Sequence, residues 1–255
     1  MCAFQLERER EYVLDSMQRY IRTKPEQVKL FETLVGPYLI GEEHVTVLDV
    51  GCGIGDLSYF LSGLNPGAQF TGVDNAPFLL EQATRLCEKI PNVTFREADL
   101  YALTQHFGTK AFDFSVCKQV LSWLPAYEDA LREMMAVTRR AIFTSSLFYD
   151  GRIDFNIRVR EYVTEAGRDG YNAFYNVYSF PVFRDFCIAQ GARDVVCFDF
   201  QIGIDLPKPE TQNRMGTYTL RLESGERLQV SGALLLPWKI VRIDLQNQKP
   251  RLIAE

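Results

Sequence analysis

Between Val45 and Ser146, short apolar runs alternate with stretches whose apolar residues recur at helical spacing. The runs are VTVLDVG (Val45 to Gly51), QFTGVD (Gln69 to Asp74), VTFREAD (Val93 to Asp99), FDFSVC (Phe112 to Cys117) and RAIFTSS (Arg140 to Ser146). Runs of this length, bounded by polar turns, read as strands of a mostly parallel α/β sheet, and the segments between them as crossover helices. Right-handed crossovers bring the five strand ends to one edge of the sheet, where open α/β folds bind their ligands.

The flanking segments differ in pattern. Leu6, Tyr12, Val13, Met17 and Tyr20 recur at three- and four-residue steps. Lys24 and Pro25 interrupt this pattern, and Thr23, followed by Pro25 and Glu26, opens a second helix carrying Val28, Leu30, Phe31 and Leu34. Residues 1–40 are therefore expected to form a helical cap or lid, and 41–149 the core of a single domain. Residues 150–190 read as an irregular or helical insertion rich in Arg and Tyr, followed by a helix at Val182 to Gln190 closed by Gly191. Residues 191–255 supply a strand from Val195 to Leu206, a hairpin at Thr217 to Gly232 around Ser224 and Gly225, and a closing strand within Leu234 to Ile243.

Charge narrows the choice of partners: 28 basic against 33 acidic residues, a net of -5, provide no footprint for a phosphate backbone. The start, MCAFQLERERE, lacks the apolar stretch of a secretory signal, and no run is long enough to span a bilayer, so a cytoplasmic location is expected. Cys2, Cys52, Cys87, Cys117, Cys187 and Cys197 form no CxxC pair, which suggests neither a zinc site nor a redox pair and leaves them as small core residues.

The most informative stretch is VLDVGCGIGDLS, Val47 to Ser58, a buried strand running into a glycine turn and then a helix. Gly51, Gly53 and Gly55 let the backbone bend sharply and approach a ligand closely. In the dinucleotide fingerprint the spacing is GxGxxG and the turn faces a pyrophosphate. Here the third glycine comes one residue early, Asp56 replaces the usual small residue, and Asp49 adds a second carboxylate. An acidic loop repels pyrophosphate and suits a ligand carrying an ammonium and a sulfonium.

These residues resemble the first motif, hhDhGCGxG, of the class I S-adenosylmethionine (SAM)-dependent methyltransferases. Asp74, with Asn75 after it, sits where that family places the acid that grips both ribose hydroxyls. Asp99 and Leu100 resemble the pair that brackets the adenine. FDFSVCKQVLSWLP, Phe112 to Pro125, resembles the fourth motif, which puts Lys118 beside the transferred methyl group. The resemblance covers roughly Val45 to Ser146. It implies a Rossmann-like, mostly parallel twisted sheet of about seven strands, the last antiparallel, with flanking helices and SAM as cofactor. Asp49, Gly51, Cys52, Gly53, Gly55, Asp74, Asn75, Asp99, Leu100 and Lys118 are the expected cofactor contacts, with no metal.

Many relatives carry a histidine near Ser122 and Trp123, and this chain has none there. His44 and His106, its two histidines, fall in connections toward the opposite end. A base matters for a hydroxyl nucleophile, less for an amine and hardly at all for an ionised carboxylate. Arg152, Arg158, Arg160, Tyr162, Tyr171, Tyr175 and Tyr178 lie in the insertion, where arginine forks would match an acidic acceptor. Lys118, Tyr149 and Arg158 are the candidate catalytic positions. The reading is methyl transfer to a small, anionic metabolite, at a carboxylate, hydroxyl or amine, with no nucleic acid or membrane as partner and a homodimer compatible. A non-catalytic SAM-binding module, an NAD-dependent oxidoreductase and a nucleic-acid methyltransferase are the rivals.

Overall fold

A computed structural model describes residues 23–160, 172–208 and 216–247. The first expected helix, Leu6 to Tyr20, lies outside the described residues, as do Tyr162 and Tyr171. In chain order the elements are α1 (Glu26–Leu39), β1 (Thr46–Val50), α2 (Asp56–Ser62), β2 (Gln69–Asp74), α3 (Pro77–Leu86), β3 (Val93–Glu97), α4 (Leu103–Phe107) and β4 (Phe112–Lys118). A short 3-10 turn at Leu121–Trp123 leads to α5 (Glu128–Val137), β5 (Thr138–Tyr149), β6 (Arg158–Arg160), β7 (Asn172–Phe174), β8 (Tyr178–Ser179) and α6 (Phe180–Ala189). Last come β9 (Asp194–Asp199), β10 (Thr217–Arg221), β11 (Arg227–Ser231) and β12 (Trp238–Asp244).

The main sheet runs β3-β2-β1-β4-β5-β12-β9, with β8 pairing the end of β5. β1 to β5 are parallel, and β12 is antiparallel to both β5 and β9. This is the mixed architecture expected, and the carboxyl ends of β1, β2, β4 and β5 converge where the glycine loop leaves the sheet. Two expectations change. The Val195 to Leu206 run stops pairing at Asp199, and Phe200 and Ile202 instead bury themselves in a local cluster. The insertion is built from β6 paired antiparallel with β7, and the described part of it contains no helix before α6. The hairpin forms as expected, Thr217 opposite Ser231, as a sheet separate from the main one.

Period-two alternation divides the apolar side chains between two cores. Val47 joins Phe31, Val35, Leu57, Leu61, Phe114 and Phe143 on one face, whereas its neighbour Leu48 joins Leu131, Met134, Ile142 and Phe183 on the other. α1 thus packs its Val28, Phe31 and Val35 stripe into the first core. A third cluster gathers at the carboxyl edge: Leu147, Tyr175, Val177, Phe200, Ile202 and Trp238, with Leu30 and Trp123 against it. The hairpin is tied here by Trp238 Nε1, which donates to Thr217 Oγ1 at 3.3 Å, and by Gly232, which abuts the Tyr175 ring.

At the opposite edge Asp113 binds three strands together. Its Oδ2 accepts from Thr46 N and Oγ1, both at 3.0 Å, and its Oδ1 from Arg139 Nε at 3.0 Å. Burial works against ionisation of this carboxyl, yet the bonds from Arg139 and Thr46 prevail and hold its pKa below the ordinary carboxylate range. Asp113→Ala removes the acceptor for three donors and should cost about 1–3 kcal/mol of unfolding free energy. The stabilisation from ionised Asp113 is present above the ordinary carboxylate pKa and is lost as pH falls through the depressed one. Urea titrations from pH 7 down to pH 3 should therefore show the gap between wild type and variant closing at the acid end.

Candidate functional site

The site begins where β1 ends. Gly55, the residue before α2, has φ 76°, and a Cβ there would stand 2.7 Å from Phe95 Cζ. Phe95 thus closes the loop from β3, and only a residue without a side chain fits. Gly53 also takes the left-handed conformation, φ 55°, but a Cβ on it would meet no atom within 4 Å. The requirement at Gly55 is internal packing, and the space beside Gly53 is open for a ligand. Gly51 lies against Val120 of the segment after β4. Cys52 N donates to Val73 O at 2.9 Å, stitching the turn to β2, and the Cys52 thiol is buried, which raises its pKa.

Asp74, at the end of β2, reaches under this loop. Its Oδ2 accepts from Gly53 N at 3.0 Å and its Oδ1 from Ala76 N at 3.0 Å. Burial raises its pKa, and the backbone N–H groups of Gly53, Ala76 and Asn75 work against the rise. An ionised carboxylate has about four lone-pair directions, so acceptor capacity for two hydroxyls is left. Asn75 is exposed beside it.

The two acids that distinguish this loop from a dinucleotide loop are both buried. Asp56 is buried and forms an ion pair with Lys118, which reaches across from the end of β4. Asp49 lies inside the sheet with Oδ2 accepting from Ser58 Oγ at 2.7 Å. Burial pushes its pKa up to about 7, with Asp56 adding to the rise while Ser58 and Lys118 oppose it. A strand residue this near the glycine turn is covered by α2, which the spacing of charges along a sequence does not reveal.

The other expected residues sort by position. Asp99 is exposed beyond β3, and its Oδ1 accepts from Tyr101 N at 2.9 Å, while Leu100 packs against the second core. Tyr149 is exposed at the end of β5 with its ring edge-on to Phe155. His44 and His106 are exposed, one before β1 and the other in α4. Tyr175 and Tyr178 are buried packing residues, Tyr178 donating to Leu121 O at 2.9 Å. Arg152 pairs with Asp185 at 2.8 Å. Arg158 and Arg160 are exposed and share one side of β6, since Val159 between them turns to the third cluster; Arg158 stacks over Phe174.

A further group surrounds Gln119 and Ser122, which position after β4 recommends, and adds Gln27, Ser145 and Ser146, which the sequence did not single out. Gln119 takes φ 59°, and its N donates to Ser145 Oγ at 2.9 Å. Ser122 Oγ and Ser146 Oγ lie 2.7 Å apart beside it, and Gln27 of α1 meets Ser145. Gln27 breaks into an apolar stripe with Phe31 four residues later, a signal of a buried polar side chain that was there to be read. Among the described residues no group of three or more His, Cys, Asp or Glu side chains could hold a metal, and no helix is long and apolar enough to cross a membrane.

Comparison with known proteins bears on this geometry. The model of a methyltransferase domain matches residues 42–158. The trans-aconitate 2-methyltransferase of Enterobacter sp. (strain 638) is 33% identical over 93 residues, 36% of this chain and 34% of that protein. The enzyme of the same name from Escherichia coli O7:K1 is 24% identical over 211 residues, 74% of this chain and 81% of that protein. The chain spans only about a quarter to a third of the length of the first curated relatives it matches. In fold it is similar to magnesium protoporphyrin IX methyltransferase from Synechocystis PCC 6803 with bound SAM. The TM-score is 0.54 at 16% identity, covering 90% of this chain and 84% of that one. A similar likeness links it to the CurJ carbon methyltransferase, with TM-score 0.60 and 12% identity over 97% and 62% of the two chains. Residues 42–158 thus match the model of a methyltransferase domain, and the strand order of the sheet agrees with the Rossmann-like fold of the class I SAM-dependent methyltransferases that the motifs resemble.

Proposed function

We propose that the protein transfers a methyl group from SAM to a small, anionic acceptor, with a carboxylate as the nucleophile. The observation that carries the donor half is the open space at Gly53 directly above the Asp74 carboxylate, with the sheltered acid Asp49 behind it. Asp74 would hold the ribose hydroxyls, Gly53 and Cys52 the backbone rim, and Asp49 with Lys118 and Asp56 the charged amino-acid end. Asp99, Leu100 and Asn75 lie on the side where the base would rest. When bound, SAM supplies a methyl group on a sulfonium that an acceptor oxygen displaces in line, so the protein's task is alignment and exclusion of water.

On the acceptor side, the rim after β4 and β5 carries Gln119, Ser122, Ser145 and Ser146, and both histidines stand elsewhere. That inventory suits a nucleophile already ionised. Arg158 and Arg160 on one side of β6 give an acid a positive approach. Relatives named for methylation of trans-aconitate, an acid, favour the same class of acceptor. Tyr149 and Arg158 then act in binding the acceptor, with Lys118 ordering the donor loop. A SAM-binding module without catalysis would share the donor half and lack turnover of any acid.

Three measurements test this reading. In differential scanning, SAM or its demethylated product at about a hundred times Kd should raise the melting temperature by about 5–10 °C, whereas NAD should leave it unchanged. Gly53→Ala, which fills the open space without meeting protein atoms, should lose most of that shift; an equal shift with NAD would point to the oxidoreductase reading instead. The second is pH dependence. A cationic donor favours ionised Asp49, so SAM affinity should weaken as pH falls below about 7, by up to about tenfold per unit. In the ligand-free chain the sign is reversed. The folded form holds this proton more tightly than the unfolded one, so its stabilisation is complete below the ordinary carboxylate range and is lost as pH rises through about 7. Asp49→Asn should flatten both profiles. Third, Arg158→Ala with Arg160→Ala should raise KM for the best of a panel of carboxylic acids about tenfold or more with little change in SAM affinity. Unchanged kinetics would remove the arginine pair from the acceptor side.

A further inference from the structure

The first turn of α1 carries a side chain that the donor site does not use. Gln27 is 6% exposed, and one end of its amide, Nε2, is buried without a hydrogen-bond partner among the described residues. The other end, Oε1, accepts from Ser145 Oγ at 3.4 Å. Exchanging the amide oxygen and nitrogen does not remove the vacancy in bonding. With nitrogen toward Ser145 the oxygen is stranded in its place, because the amide has two polar ends and Ser145 meets one. A buried amide end without a partner is destabilising and rare in native chains.

Its position says what would complete it. Ser145 stands opposite Lys118 in the β4–β5 register, and Lys118 pairs with Asp56 at the glycine loop. The donor loop therefore lies on the β4 side of Ser145, and Gln27 lies over Ser145 itself. One turn further along α1, Leu30 packs against the cluster of Trp123, Tyr175 and Trp238, which walls the acceptor side. The amide is held on this line by a relay: Gln119, in the left-handed conformation, aims its N–H at Ser145, leaving the serine proton for Gln27.

We propose that Gln27 is an acceptor-binding residue, its unbonded amide end donating to a carboxylate oxygen of the acceptor once the first turn of α1 parts from the rim. The inference rests on the anionic-acceptor reading above and adds to it the residue that recognises the acid. Ser145 and Gln119 serve as positioning residues.

The test is calorimetric titration of wild type, Gln27→Met and Gln27→Asn, first with the demethylated cofactor and then, in that complex, with succinate, tricarballylate and citrate. The cofactor should bind all three proteins within about twofold, and the acid that wild type binds best should bind Gln27→Met at least about tenfold more weakly. Methionine has similar length and no polar end to strand, so ligand-free Gln27→Met should melt at or above the wild-type temperature. A purely structural glutamine would give a lower one. If Gln27→Met does not fold, the shorter Gln27→Asn, which keeps the amide but withdraws it, carries the same expected loss. Equal acid affinity in variant and wild type would overturn the role of Gln27 and leave the anionic-acceptor reading standing. Equal weakening of cofactor and acid would assign Gln27 to the donor half and overturn it as well. Binding of cofactor but of no acid by the wild type would overturn both.

Discussion

The chain must turn from β1 into α2 within five residues, and this bend is the constraint on which the site depends. β1 lies between β2 and β4, so its exit is crowded by Phe95 on one side and Val120 on the other. Side chains are excluded at Gly51 and Gly55 by these neighbours, which leaves backbone to form the rim. Gly53 is the exception in that a Cβ there would meet none of the described residues, and its N–H is already turned down onto Asp74. Packing inside the fold thus prepares a cradle whose open wall is where the proposed ligand would lie. Preorganisation of this kind spares the ordering cost at binding.

Charge around the bend is arranged at some expense to stability. Asp49, Asp56 and Lys118 are three ionisable groups sheltered together, and one negative charge is left over if all ionise. Burial resists that state by raising the Asp49 pKa. In the proposed reading a cationic ligand end would relieve this imbalance, and the ligand-free chain would carry a destabilising feature that binding removes. Local rules broken at functional positions commonly have this character. Gln27, with half its amide unbonded, is a second case on the acceptor side.

Much of this was legible in the sequence. The five apolar runs, the hairpin around Ser224 and Gly225, and the closing strand followed from periodicity and turn chemistry, because each buries a face or bends by local rules; the antiparallel direction of that strand came from the family resemblance alone. The place of Asp74 at the end of β2 was legible from spacing beyond the glycine turn, whereas its bond to Gly53 N was not. What escaped depends on cover by distant segments. The burial of Asp49 comes from α2 folding back over β1, and the Lys118–Asp56 pair joins residues 62 apart in sequence. In the insertion, β6 and β7 pair across the intervening chain, so short strands with little periodicity gave no local signal. The run after Asp199 reads as strand, yet Phe200 and Ile202 gain more by joining the third cluster than by extending the sheet.

The third cluster stands apart from the two cores that hold the sheet together. Its members come from the turn after β4, the end of β5, the insertion, the segment after β9 and the start of β12, and the hairpin braces it through Thr217 and Gly232. Little of it touches the bend between β1 and α2. In the proposed reading, substitutions there would alter the recipient molecule while leaving the cradle under Gly53 in place, since fold and specificity are separable.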